Sequence, residues 1–279
     1  MTDPPISPRE ILRADSIDAL GRKVAEVLAG DHVTARSGEK SFFFNRLPSR
    51  LSPQLSYGRH RGPARLEARR AAVIIVVYPQ RITGQLCLTL TRRPMTLSHH
   101  GGQICLPGGQ IEPGESVTQA ALREYAEELG VPVNVSRKLG RLPPIYVFAS
   151  DNLVETVVVT ADRPSVDWQP NPVEVDEVIE MPIEILLDLG NVAAAATNSN
   201  GLPGDPLAIS ERKKAIIGKG ASVGEVFQYR FGHPVIEFVD AEGRQRELWG
   251  ATAVLVDAFS GVLCRAIAAS GECSGPASV

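Results

Sequence analysis

The 279-residue chain predicts an α/β fold, a mixed sandwich of strands interleaved with a few helices. Three observations carry that expectation. Runs of β-branched residues, led by "AAVIIVVYP" from Ala71, are separated by Gly-containing turns. Other stretches place apolar residues at helical spacing instead. The composition, 43% hydrophobic and 22% charged, is that of a globular chain with room for one large domain or two small ones.

Residues 1–15 hold three prolines and read as a loose lead-in. Ile17, Leu20, Val24 and Val27 predict an amphipathic helix over about 16–29, with Ser16 as its N-cap. From 30 to 70 the chain is polar and basic, ending in "YGRHRGPARLEARR"; this reads as a solvated connector, from which an arginine could also reach a ligand phosphate. "AAVIIVVYP" and "LCLTLTRR" are strands around the turn "QRITGQ". The run Ala71–Tyr78 is much too short to cross a bilayer and reads as a buried central strand. A short apolar piece between glycine pairs, "GGQICLPGG", precedes a helix, and "GRLPPIYVFAS" and "LVETVVVTA" are strand-like. "MPIEILLDL" is a short helical piece opened by Pro182. Residues 190–222 mix small, Gly/Pro and basic residues and read as a mobile insertion. "VFQYRFGHPVIEFVD" and "RELWGATA" predict a strand, a hairpin and the start of a last helix through Leu263. The expected organisation is an N-terminal extension over 1–67, a main domain over 68–263 and a flexible tail over 264–279.

The net charge of −3 gives no case for nucleic acid or an anionic membrane as partner. Cys87, Cys105, Cys264 and Cys273 form no CxxC pair, so sulfur ligation of a metal is not expected and reduced, cytoplasmic thiols are. "MTDPPISPRE" lacks the apolar core of a secretory signal. Monomer and homodimer both stay open.

The chemistry concentrates in "PGGQIEPGESVTQAALREYAEELGV", residues 107–131. Ser116 and Gln119 fit a capping box, and Gly130 fits a left-handed C-cap. Between them Val117, Ala121, Tyr125 and Leu129 step by four into an apolar stripe. Glu124 and Glu128 stand at i and i+4, and Glu127 at i+3 from Glu124, so their carboxylates converge. Like charges at such spacing destabilise a helix by roughly 0.2–0.5 kcal/mol per pair. Arg123 relieves part of this through Glu127 at i+4; a solvated acidic face or an external cation accounts for the rest. Gly108 and Gly109 let backbone approach a ligand, which favours a hard cation such as Mg²⁺ or Mn²⁺.

This segment resembles the Nudix hydrolase box, G-x5-E-x7-R-E-U-x-E-E-x-G-U, where U is bulky and aliphatic. The chain supplies Gly109, Glu115, Arg123, Glu124, Glu127, Glu128, Gly130 and Val131, with Tyr125 at an aliphatic position. The resemblance implies a Nudix-type α/β/α sandwich with a mixed sheet, here with an N-terminal helical extension, and hydrolysis of a diphosphate linked to another group. It also implies Glu124 and Glu128 as main metal ligands, Glu127 as a further ligand or water-orienting group, Arg123 as the residue orienting them and Glu115 as a secondary contact; from the glycine pair itself, an unpaired carbonyl, that of Gly109, could join the metal sphere. Upstream, "TLTRRPMTLSHHGGQICLPGG" resembles the coenzyme A pyrophosphatase subfamily through Leu90, Thr91, Arg93, Gly102, Pro107, Gly108 and Gly109. Pro94, Ser98 and Leu106 stand where that pattern has Ser/Ala, Arg and Phe. His99, His100 or a basic residue of 59–70 would then take over the arginine's phosphate contact. The expected substrate-binding set is Arg93, His100, Gly102, Gly108 and Gly109, and the expected substrate is CoA or a related nucleotide. ADP-ribose, NADH and dinucleoside polyphosphates are the alternatives, and a non-catalytic nucleotide sensor is the rival from another class. The general base stays open between Glu127 and a later carboxylate: Glu174, Asp176, Glu177, Glu242 or Glu247.

Overall fold

The run at Ala71 becomes β1 (Arg69–Pro79), and its side chains alternate between two separate cores. Ile75 and Val77 face one side; Ala72, Ile74, Val76 and Tyr78 face the other. A strand buried on both faces needs a near-continuous apolar run, which is what the sequence supplies. The computed structural model describes residues 12–36, 64, 66–97, 101–147, 150–187, 209–217 and 226–269, and only the backbone at 32–36, 209–217 and 226–234.

The main sheet is seven-stranded and mixed. Its members are β1, β2 (Leu86–Arg92), β3 (Ile104–Cys105), β4 (Gly108–Gln110), β5 (Asn134–Val147), β6 (Asn152–Asp162) and β7 (Glu177–Pro182). β1 runs parallel to β6 from Arg69 opposite Asn152 to Val77 opposite Thr160, and β5 closes that side antiparallel to β6. On the other edge β1 and β2 pair only from Val77 to Pro79 and then diverge. The chain over 104–110 fills the wedge between them: β3 pairs with β2, β4 pairs with β1, and the Pro107 carbonyl accepts the Ile74 N–H at 3.0 Å. β7 lines the far edge of β2. A second, three-stranded sheet joins β8 (Ile209–Ile217), β9 (Val226–Val239) and β10 (Gln245–Trp249).

Helices cover both faces of the main sheet. On one, α1 (Ile17–Arg36) presents Leu20, Val24 and Leu28, and α3 (Gly250–Ala268) presents Leu255, Phe259 and Leu263, into the core holding Ile75 and Val77. On the other lies α2 (Val117–Leu129). Each large apolar side chain so buried contributes about 1.5–3 kcal/mol. The α/β/α sandwich is therefore as expected. The N-terminal helix runs seven residues past its expected end and forms an outer layer of the sandwich. α3 continues beyond Leu263 to Ala268. By length and a mean hydropathy of 1.6 it is the one described helix able to cross a membrane, yet most of it is buried against the sheet. Within the stretch expected as an insertion, 209–217 is strand β8, paired with β9 over nine positions. The rest of that stretch, the connector over 37–63 and residues 270–279 lie outside the described residues.

Candidate active site

The site is built on α2, whose ends and roll are fixed locally. The Ser116 hydroxyl accepts the Gln119 N–H at 3.3 Å, and the Gln119 side chain accepts the Ser116 N–H at 2.9 Å. Gly130 ends the helix with φ 68°. A Cβ there would lie 2.0 Å from the Gln169 carbonyl, so glycine serves both the turn and the neighbour. Val117, Ala121, Tyr125 and Leu129 are buried against β1 and β6, as the stripe predicts. The opposite side of α2 carries Arg123, Glu124 and Glu127, with Glu128 at the buried margin.

Arg123 joins three of the four box carboxylates. Its Nε and Nη2 donate to the two oxygens of Glu115 at 2.8 and 3.0 Å, and its Nη1 donates to Glu124 and Glu127, each at 3.0 Å. Nη2 also reaches the Gln110 carbonyl on β4 at 3.0 Å. The hydrogen bonds that Arg123 donates hold Glu115 below the usual carboxylate range, and the same bonds to Glu115 are the largest cause that raises the guanidinium. The i+4 pair with Glu127 is present, and Glu115 is bound more tightly than its sequence role implied.

Glu128 has no such partner. It is 5% exposed, and its Oε2 is buried without a hydrogen bond. Burial, then the charges of Glu124 and Glu174, push its carboxyl up to about 8; Arg93 and a hydrogen bond from the Gly108 backbone only partly oppose them. Burial also raises Glu124 above its ordinary value, against Arg123 and with Glu127 and Glu174. A Cβ on Gly109 would sit 2.4 Å from the Glu124 carboxyl carbon, and one on Gly108 2.2 Å from the Ala72 carbonyl. Gly108 is thus required for β4 to lie against the β1 backbone, and Gly109 lets the Glu124 carboxylate lie close over β4.

Nudix proteins generally use divalent metal ions, and the donor set suits one: hard oxygens, short of positive charge, one of them an orphaned buried carboxylate oxygen. Among the described residues, however, no three such groups form a ready-made cage. Glu124 and Glu127 are turned onto Arg123, so the expected convergence holds for charge and not for a preformed set of ligands. Glu128, with Glu124 beside it, carries the fit.

Arg93 is half-buried, with Nε lacking a hydrogen bond, and its charge acts on Glu128 and Cys105. It starts a hairpin in which the Gly102 N–H donates to the Arg93 carbonyl at 3.0 Å. Gly102, at φ 71°, packs so closely under Met95 that a Cβ would lie 2.3 Å from Sδ. Ser98, His99 and His100 lie outside the described residues. Cys105 shares a 3.3 Å hydrogen bond with Thr91, and burial pushes its thiol up to about 11, away from nucleophilic use.

The sequence reading did not separate Glu174 from four other late carboxylates. Asp176, Glu177 and Glu242 are held by arginines, and Glu247 also has a partner. Glu174 is exposed on a loop docked to the end of α2, where its charge acts on Glu124 and Glu128. The Gln169 N–H donates to the Leu129 carbonyl and the Asn171 N–H to the Glu128 carbonyl, both at 3.0 Å. Asn171 then turns the chain: its side chain accepts the Val173 N–H, and its carbonyl accepts those of Glu174 and Val175. The Asn171-Pro172 dipeptide is the one sequence signal for this turn.

Comparison with known proteins agrees with this architecture. The family profile described as NUDIX domain matches residues 68–198. The Nudix hydrolase NudL of Salmonella paratyphi B, described as uncharacterized, is 35% identical over 141 residues, covering 50% of this chain and 68% of that protein. NudL of Salmonella newport matches to the same extent. Among solved structures, a Nudix hydrolase from M. Smegmatis, RenU, is 25% identical with a TM-score of 0.35, covering 43% of this chain and 74% of that one. With Arg123 and three box glutamates gathered on α2 and relatives of this similarity, the chain belongs to the Nudix hydrolase family.

Proposed function

We propose that the protein is a Mg²⁺- or Mn²⁺-dependent hydrolase of a nucleoside-diphosphate-linked substrate, and that this substrate is coenzyme A, cleaved to 3′,5′-ADP and 4′-phosphopantetheine. The observation that carries the reaction class is Glu128, a buried carboxylate whose free oxygen has no protein partner, beside Glu124 on a helix packed against the glycine strand β4. A bound divalent ion would neutralise phosphate charge and activate water there. The chain's own residues do the rest. Arg123 holds Glu115, Glu124 and Glu127 in place. Gly108 and Gly109 let β4 lie close to β1 and to the Glu124 carboxylate. Glu174, or Glu127 despite its pair with Arg123, would take a proton from the attacking water; both are exposed.

The assignment to CoA is supported by the run from Leu90 to Gly109 that resembles the CoA pyrophosphatase segment. The test is incubation with CoA and Mg²⁺ or Mn²⁺ and identification of products. 3′,5′-ADP is expected. Cleavage of ADP-ribose, NADH or a dinucleoside polyphosphate with CoA left intact would replace CoA by that nucleotide and keep the reaction class. Binding of nucleotides without metal-dependent turnover would mark a sensor, a reading against which retention of every box carboxylate argues.

A further inference from the structure

Residues 163–177 cross from the end of β6 to the start of β7 as a strap over α2, tied down in three places. At the first, the Arg163 guanidinium lies 5.9 Å from the Trp168 ring centre, its Nε donates to Glu180 at 3.1 Å, and Trp168 packs edge-on against Tyr78 and Tyr125. At the second, Gln169 and Asn171 dock on the last carbonyls of α2. At the third, Asp176 and Glu177 enter an ion-pair network that reaches the second sheet, and no step of the proposed reaction uses it.

That network starts at Asp240, in the turn between β9 and β10, whose side chain is 1% exposed. Its Oδ1 accepts the N–H groups of Glu242 and Arg244 at 3.0 and 2.9 Å; its Oδ2 accepts Arg244 Nε at 3.1 Å and Arg246 Nε at 2.9 Å. Burial opposes the charge on Asp240, but these hydrogen bonds outweigh it and hold the carboxyl below its ordinary value. The two terminal nitrogens of Arg246 go the other way, one to each oxygen of Glu177. Glu177 also meets Arg92 at 3.2 Å, and Arg92 holds Asp176 through Nε and Nη2 at 3.1 and 2.7 Å. The Asp176 N–H donates back to the Arg92 carbonyl at 2.8 Å. Asp176 is two residues from Glu174, with the buried Val175 between them.

We infer that Arg246 is a positioning residue, which braces the strap from the β9–β10 hairpin through Glu177 and so sets Glu174 against the carboxylate side of α2. Arginine suits the place because one planar fork faces Asp240 with its inner nitrogen and Glu177 with its outer two; a lysine ammonium reaches one of them. The kinetic consequence rests on the hydrolase reading, and the structural one does not.

The experiment measures amide hydrogen exchange and steady-state kinetics on the full chain for Arg246→Gln, Arg246→Lys, Glu177→Gln and the Arg246→Gln/Glu177→Gln double variant. Exchange at Gln169 and Asn171 is expected to rise about tenfold or more in Arg246→Gln, with β1 amides unchanged. On whichever nucleotide the wild type cleaves, kcat should fall about tenfold with KM within about twofold. Arg246→Lys should lie between, and the double variant should be no slower than the worse single one. Strap amides as protected as in the wild type would overturn the brace, as would faster exchange with unchanged kcat. If Arg246→Gln fails to fold, Arg246→Lys supplies the same two readouts. If the wild type cleaves no nucleotide, the reaction reading fails alone, and exchange still decides the brace.

Discussion

Two acidic clusters meet at the strap, and they are balanced differently. In one, Asp176, Glu177, Asp240 and Glu242 are interleaved with Arg92, Arg244 and Arg246, and every carboxylate meets a guanidinium. In the other, Glu115, Glu124, Glu127, Glu128 and Glu174 share Arg123 and the more distant Arg93, and Glu128 keeps an oxygen with no partner. A balanced network holds structure together, because its charges are satisfied within the protein. A deficit concentrated on one buried carboxylate is retained against stability, and on the proposed reading it is where a divalent cation would bind. Position in the fold follows the same division: the balanced cluster ties the strap to the β9–β10 hairpin, and the deficient one lies beside the glycine strand β4.

The contrast can be broken by experiment. The largest effect is expected from Glu128→Gln, which should lower kcat by roughly 10²–10⁴-fold while circular dichroism shows the fold intact; wild-type rates would remove the box from the mechanism. Next comes Asp240→Ala. Taking one partner from a buried pair costs about 3–5 kcal/mol, so urea unfolding should show a loss of that order, and a loss below about 1 kcal/mol would mean the second cluster is no better than a surface one. A smaller effect distinguishes the clusters by pH. Glu128 binds its proton more tightly folded than unfolded, so its contribution is complete below the ordinary carboxylate pKa of about 4.3 and is lost as pH rises through about 8. Metal-free protein should therefore lose stability on the order of 1–3 kcal/mol across that window, and Glu128→Gln should flatten the curve. The smallest is Arg81→Ala. Its 3.4 Å pair with Asp167 joins side chains 63% and 89% exposed, and removing it should leave both melting temperature and exchange at the strap unchanged.

How much of this was legible in the sequence depended on how local each feature is. The capping box, the stripe and Gly130 all act within α2 and were readable by spacing alone. So was β1, whose burial on both faces follows from its uninterrupted apolar run. The strap was not, because its meaning lies in amides of Gln169 and Asn171 meeting carbonyls some forty residues earlier. The Arg246 network was equally hidden: positions 92, 176, 177, 240 and 246 share no period. β8, "ISERKKAII", carries four charged residues in its middle and so read as an insertion, although pairing with β9 makes it a strand. The far end of α1 escaped because apolar spacing fades after Leu28.

The wedge between β1 and β2 has a consequence for how such a protein can change its ligand. Because 104–110 bonds to each strand separately, the described hairpin residues, 93–97 and 101–103, extend from β2 and β3, while β4 pairs with β1. On the proposed reading, that hairpin could be lengthened, shortened or recoded while β4 keeps its place beside α2. On the proposed reading, substrate choice and chemistry are hinged on different strands, so one could drift while the other is held.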